Sequence, residues 1–192
     1  MASHKEIEIK FCVHNIRALT RSLRAAGFQL ATKRTHEMNT LYDLPGLPLG
    51  KRGEVLRLRK YGSGWLLTHK AKGTSRRHKS RVETETKVAE GAKMESILQA
   101  LGFAPSFRYE KFRAEWSDGK GHVVVDETPV GNFGEIEGPE RWIDQTARVL
   151  KIEPADYITK SYTELFSDWK KKSGSQATEM IFRAISPNKT RQ

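Results

Sequence analysis

The chain has 192 residues, 34 of them basic and 23 acidic, with a formal charge of +11 and a pI near 9.8. That length suits one domain, or two halves sharing one core, and a single cysteine, Cys12, excludes an intrachain disulfide or a cysteine-based zinc cluster. No apolar run approaches the ~20 residues of a membrane span, and the first residues carry no hydrophobic signal region, so a cytoplasmic location is expected.

In residues 6–13, Glu6, Glu8 and Lys10 alternate with Ile7, Ile9 and Phe11, which predicts a strand with one charged and one apolar face. Asn15 can cap the helix that follows; Ile16, Leu19, Leu23 and Ala26 recur at helical spacing, and Gly27 sits where a terminating glycine belongs. Residues 35–42 read as a strand and 43–53, with two prolines and three glycines, as a loop. Strands are predicted over 54–60 and 65–70 around a Gly-Ser-Gly hairpin, then a mobile basic loop over 71–80 and a strand over 81–88. A helix over 92–101 stops at Gly102. Strands follow over 106–116, 122–127 and 133–137, then helices over 140–150 and 154–166. Residues 1–168 are read as one domain and 169–192 as a basic extension, frayed or loosely docked through Met180, Ile181, Phe182 and Ile185.

The sequence echoes itself. EIEIK from Glu6 matches ETETK from Glu83, and the helix ending Ala-Gly-Phe28 matches the one ending Leu-Gly-Phe103. Each half reads strand, helix, Gly-Phe, further strands. A pseudo-repeat of two halves building one closed antiparallel structure is expected, of α+β class.

The basic excess alone fits nucleic acid, an anionic membrane surface or a small polyanion. The placement of charge narrows this. Charges two residues apart recur at Glu6/Glu8/Lys10, Arg57/Arg59, Lys70/Lys72, Glu83/Glu85, Lys111/Arg113 and Glu135/Glu137. A single such pair reads as the solvated face of a half-buried sheet. Repeated around a barrel whose apolar residues pack outward under helices, the charges point inward. Carboxylates then suit Mg²⁺ or Mn²⁺, and guanidinium and ammonium groups suit phosphate oxygens. Three Glu-x-Glu strands disfavour nucleic acid, whose phosphates they repel unless metal is present. Cys12 and the scattered histidines show no nucleophile or zinc spacing, and no phosphate-binding glycine loop occurs.

Glu6-Ile-Glu8-Ile-Lys10 resembles the ExExK signature of the CYTH superfamily, the triphosphate tunnel metalloenzymes. Further matches follow in order: Leu56-Arg57-Leu58-Arg59, Leu67-Thr68-His69-Lys70, Arg81-Val82-Glu83-Thr84-Glu85, Lys111-Phe112-Arg113, Asp126 with Gly131 to Glu137, and Lys160-Ser161-Tyr162. The resemblance spans roughly residues 6–166; it departs at His69, often Tyr in the family, and at the basic loop 71–80. It implies an eight-stranded antiparallel β-tunnel with flanking helices. It implies Glu6, Glu8, Glu83, Glu85, Asp126, Glu135 and Glu137 as the set from which ligands for Mg²⁺ or Mn²⁺ come. It implies Lys10, Arg57, Arg59, Lys70, Lys111 and Arg113 as the triphosphate holders, with Lys160 as a catalytic candidate at the tunnel mouth and Lys72 and Arg81 as secondary basic groups. The expected activity is metal-dependent hydrolysis of the terminal phosphate of a triphosphate. The alternatives are a class IV adenylyl cyclase, which residues 98–116 resemble, and a non-catalytic polyphosphate or nucleic-acid binder. The expected partner is a small-molecule triphosphate, without a membrane; a homodimer stays open.

Overall fold

The two Glu-x-Glu strands that echo each other in sequence pair with each other in space. In the computed structural model, which describes residues 4–75 and 77–185, β1 (His4–Cys12) pairs antiparallel with β6 (Lys79–Val88), and β2 (Gln29–Asp43) pairs antiparallel with β7 (Ala104–Ser117). β3 (Val55–Tyr61) and β4 (Gly64–Lys70) complete the first half; β8 (His122–Thr128) and β9 (Gly131–Glu137) complete the second. The order β1-β9-β8-β7-β2-β3-β4-β6 returns to β1, so eight antiparallel strands close a barrel. The two-residue β5 (Thr74–Ser75) adds to the start of β6.

The first helix of each half ends alike. α1 (Ile16–Ala25) and α3 (Gly91–Ala100) are each followed by a glycine at φ +87°, Gly27 and Gly102. Phe28 N–H then donates to Leu23 O at 3.0 Å and Phe103 N–H to Leu98 O at 2.9 Å. A side chain at that left-handed position would strain the turn. Asn15 caps α1, its Oδ1 accepting from Ala18 N–H at 2.9 Å.

Ile9, Phe11, Val123, Val125 and Ile136 face outward into a core shared with Leu23 and Phe28 and with Trp142, Ile143 and Ala147 of α4 (Glu140–Val149). At Gly134 a Cβ would lie 2.1 Å from the Phe11 ring, so the missing side chain lets the ring close on the sheet. Because the apolar residues are spent on the outer core, the alternate residues of the same strands line the lumen.

The structure departs from the sequence reading in several places. β2 begins at Gln29 rather than residue 35; register shifts at Leu30/Thr32 and Thr32/Thr35 break the alternation that would have announced it. The 43–53 loop contains α2 (Pro48–Arg52), whose start is held by Asp43: its carboxylate accepts from Leu44, Leu49 and Gly50 N–H. The basic 71–80 segment holds β5 and the start of β6, and is tied to α4 by Arg77 and His78, which reach Asp144 at 3.1 and 3.0 Å; Arg76 lies outside the described residues. The helix expected over 154–166 is a 3₁₀ turn (Pro154–Asp156), an extended Ile158 that exchanges backbone hydrogen bonds with Lys10, and α5 (Tyr162–Ser173). Ser161 starts α5 with a reciprocal capping box to Glu164, which is what the periodicity concealed.

α5 runs through residue 168, and the described part of the basic extension docks rather than frays. Met180 is fully buried among Tyr109, Phe133, Tyr162 and Phe166, and its backbone bonds to Arg108 and Glu110 of β7. The short α6 (Phe182–Ile185) follows. Met180→Ala is expected to cost about 2–4 kcal/mol of unfolding free energy, read by denaturant melts; an unchanged midpoint would mean that the segment contributes nothing to the fold. No described helix is long and apolar enough to cross a membrane.

Candidate active site

The lumen holds a cavity of about 340 Å³ lined by residues of all eight barrel strands, with the start of α5. Strand alternation places Glu6, Glu8 and Lys10, Arg57 and Arg59, Lys70, Arg81, Glu83 and Glu85, Lys111 and Arg113, and Glu135 and Glu137 around it. Three predicted residues stand elsewhere. Asp126 is fully buried in the wall and does not line the cavity. Lys160 is exposed and bonded to Asp168 at 2.5 Å, away from the cavity lining. Lys72 is exposed, its side chain against Gly53.

One part of the wall is basic and tightly cross-braced. Arg113 forks onto Asp126 (Nε–Oδ1 2.7 Å, Nη2–Oδ2 2.6 Å) and also bonds Glu135. Lys111 Nζ and Tyr162 Oη donate to the same Asp126 Oδ2 at 2.8 and 2.6 Å. Fully buried and saturated with donors, Asp126 anchors these cations from within the wall. Lys10 bonds Glu135 at 2.7 Å; despite burial, Glu135 and Glu8 hold its ammonium above the usual lysine range, and Lys10, Arg113 and Lys111 hold Glu135 well below the usual carboxylate range. Arg59 reaches Glu85 at 3.2 Å, and Thr68 Oγ1 donates to the same Glu85 oxygen at 2.7 Å.

Another part is acidic and crowded. Glu8 stands opposite Glu137 across the β1–β9 ladder. Burial and the carboxylates of Glu6, Glu8 and Glu135 push Glu137 up to about 7. Burial and a hydrogen bond shared with Glu83 raise Glu6 as well, against the pull of Lys70. Lys70 bonds Glu83 and lies 3.3 Å from Glu6, and Lys79 donates to Glu8 at 2.7 Å. Glu137 has no salt bridge among the described residues. Buried like charges of this kind are relieved by a proton or a cation. The donors, all hard oxygens, fit Mg²⁺ or Mn²⁺ in kind; the side chains are turned toward lysines, and among the described residues no three metal-ligating groups converge on one point.

Sequence reading missed several residues of this site. Glu37 and Asn39 of β2 lie buried behind the basic wall, Glu115 of β7 accepts from Tyr61 and Thr32, and Lys79 and Tyr162 line the cavity. Lys79 shares the parity of Arg81, Glu83 and Glu85, and Glu37-x-Asn39 has the same spacing as the other lumen pairs; these were the available signals. With Glu37 and Asp126 behind them, the carboxylates of the wall at least balance its cations.

Comparison with known proteins agrees with this architecture. The CYTH domain family model matches residues 4–162. A protein of Methanocaldococcus jannaschii named "putative adenylate cyclase" is 26% identical over 171 residues, covering 83% of this chain and 97% of that protein. Among solved structures, a "putative adenylate cyclase" of Vibrio parahaemolyticus superposes with a TM-score of 0.77 at 21% identity, over 86% of this chain and 99% of the other. A "putative adenylyl cyclase" of Hippeastrum, described as having a dominant triphosphatase activity, superposes with a TM-score of 0.64 at 22% identity, over 85% and 95%.

Proposed function

The chain belongs to the CYTH domain family, and from that premise we propose that it is a metal-dependent phosphohydrolase that removes the terminal phosphate of a triphosphate inside the tunnel. The observation that carries this reading is the division of one lumen into a basic wall (Arg57, Arg59, Lys111, Arg113) and a crowded acidic wall (Glu6, Glu8, Glu137). A polyphosphate chain lies against the first, where guanidinium forks and an ammonium meet its non-bridging oxygens. Glu6, Glu8 and Glu137, with Glu83, Glu85 and Glu135 beside them, would hold the divalent cation. When bound, that ion supplies charge neutralisation at the phosphate oxygens. The basic wall is braced by Asp126 and Glu135 before substrate arrives, so its charge is preorganised for the oxygens on which negative charge builds as water attacks the terminal phosphorus.

The lining favours hydrolysis over cyclisation. Its aliphatic groups are Leu41, Val55 and Val124, its phenol rings Tyr109 and Tyr162 are buried against each other with centroids 5.7 Å apart, and His122 is its imidazole. Cyclisation requires an apolar slot that orients a base and ribose; hydrolysis requires only the phosphate chain and a water. The cyclase reading is kept because the Methanocaldococcus relative bears that name.

The test offers tripolyphosphate, ATP and thiamine triphosphate to the purified chain with Mg²⁺ or Mn²⁺ and quantifies orthophosphate, pyrophosphate and cyclic AMP. Orthophosphate release that a chelator abolishes is expected. Cyclic AMP with pyrophosphate from ATP would establish the cyclase instead, and no product from any substrate would overturn both.

A further inference from the structure

Glu37 is a carboxylate that the proposed reaction does not use, and it sits among the groups that would bind the substrate. None of its surface is exposed. Its Oε1 accepts from Asn39 Nδ2 at 2.9 Å and lies 3.6 Å from Lys111 Nζ; its Oε2 lies 3.9 Å from Arg59 Nη1 and 3.9 Å from Arg113 Nε, and has no hydrogen-bond partner among the described residues. Thus three cations crowd around one buried anion and none is locked to it at hydrogen-bond distance. Arg113 and Lys111 give their short bonds to Asp126, and Arg59 gives its to Glu85. Although burial opposes its ionisation, Lys111, Arg113 and Arg59 hold Glu37 down to about 2, so it is charged at any working pH.

We propose that Glu37 is a positioning residue that acts as the resident counter-charge of the polyphosphate site, holding Arg59, Lys111 and Arg113 together when no anion is bound and weakening their grip on one that is. This rests on the reading that those cations hold a polyphosphate. The physical argument is one of competition. Like charges buried in a common wall repel, and an anion behind them offsets that repulsion at fixed geometry. The same anion stays in place when phosphate oxygens arrive in front, so each cation is already partly neutralised. Without Glu37 the three cations, left with Asp126, Glu135 and Glu85 alone, would hold substrate and polyanionic product alike more firmly. Glu37 therefore sets affinity low enough for turnover, through the cations and without touching the substrate.

Glu37→Gln removes the charge and keeps the size and the acceptor for Asn39. The experiment titrates the metal-free 192-residue chain with tripolyphosphate and with pyrophosphate by calorimetry, and follows thermal melting with and without each anion. Tripolyphosphate is expected to bind Glu37→Gln about tenfold or more tightly than it binds wild type, the scale of one charge-assisted contact. The ligand-free melting temperature falls, and tripolyphosphate restores it. In steady state KM falls and kcat falls with it, as product leaves more slowly. Glu37→Asp, which keeps the charge, is expected to bind close to wild type. Equal or weaker binding by Glu37→Gln, with wild type binding normally, overturns the proposal and leaves a merely structural ion pair. Wild type that binds neither anion overturns the underlying reading, and this proposal with it. If Glu37→Gln does not fold alone, recovery of its folded spectrum on adding tripolyphosphate supports the proposal, and failure to recover overturns it.

Discussion

Arg113→Ala is expected to lower both stability and activity more than any other single change in the tunnel. Its guanidinium is shared by Asp126, Glu135 and, at longer range, Glu37, and all three carboxylates are buried. Alanine leaves Asp126 and Glu135 with Lys10, Lys111 and the Tyr162 hydroxyl, and Glu37 with Lys111 and Arg59 at longer range. Removing one partner of a buried ion network costs about 3–5 kcal/mol, because the charges left behind are neither solvated nor paired. The same change withdraws a planar fork from the phosphate chain and unbraces Lys111 through their common Asp126, so kcat/KM is expected to fall by about 10³-fold or more. Arg113→Lys keeps a charge and loses the fork, and is expected to restore stability better than activity. Denaturant melts beside steady-state kinetics check this. Unchanged stability in Arg113→Ala would show that water, not the guanidinium, solvates those carboxylates.

Glu137→Gln is expected to abolish metal-dependent turnover while making the metal-free protein more stable at pH 8. The opposite signs follow from one cause. Its carboxyl titrates at about 7 in the fold, against 4.5 for an ordinary glutamate. The folded state therefore binds more protons than the unfolded chain between those pH values, and stability falls as pH rises through that window and stays lower above it. Glutamine cannot ionise, so it removes about 1–3 kcal/mol of destabilisation at pH 8 after allowance for partial exposure, and close to none at pH 4.5. It also takes a charged oxygen donor from the acidic wall, so divalent-cation affinity falls. Melting of both proteins at pH 5 and pH 8, with and without Mg²⁺, separates these effects. Loss of stability at pH 8 would mean that Glu137 is held by a favourable partner rather than crowded by like charges.

Much of the barrel was legible because its apolar residues face outward. On β1 (Glu6 to Lys10), β3 (Arg57 and Arg59) and β6 (Arg81 to Glu85) charges recur two residues apart with an aliphatic residue or threonine between them, so period, face and chemistry can be read together. β2 hides its contribution. Its lumen pair is an acid and an amide, Glu37 and Asn39, which resemble ordinary strand polar residues until Lys111 and Arg59 are seen beside them. Asp126 reads as a free carboxylate in the sequence; only the structure shows its oxygens committed to Lys111, Arg113 and Tyr162. Lys160 stands directly before the capping box of α5, and one step of chain direction turns it toward Asp168 rather than the cavity. Met180 stands in the sequence with Ile181, Phe182 and Ile185 as a residue able to dock, but not where: β7 supplies it with a backbone partner and aromatic walls, which no periodicity in the basic extension announces.

The balance of charge within the tunnel wall leaves the basic excess of the chain outside the tunnel. Arg17, Arg21 and Arg24 on α1 and Lys171 and Lys172 on α5 are among the exposed groups that carry it. A small polyanion is therefore drawn toward the molecule before it meets any group that will hold it. Capture and retention are governed by different charges, and salt distinguishes them. At low substrate, where encounter limits the rate, added inert salt screens the outer field and slows the reaction; at saturation the buried ion pairs are shielded from it and the maximal rate changes little.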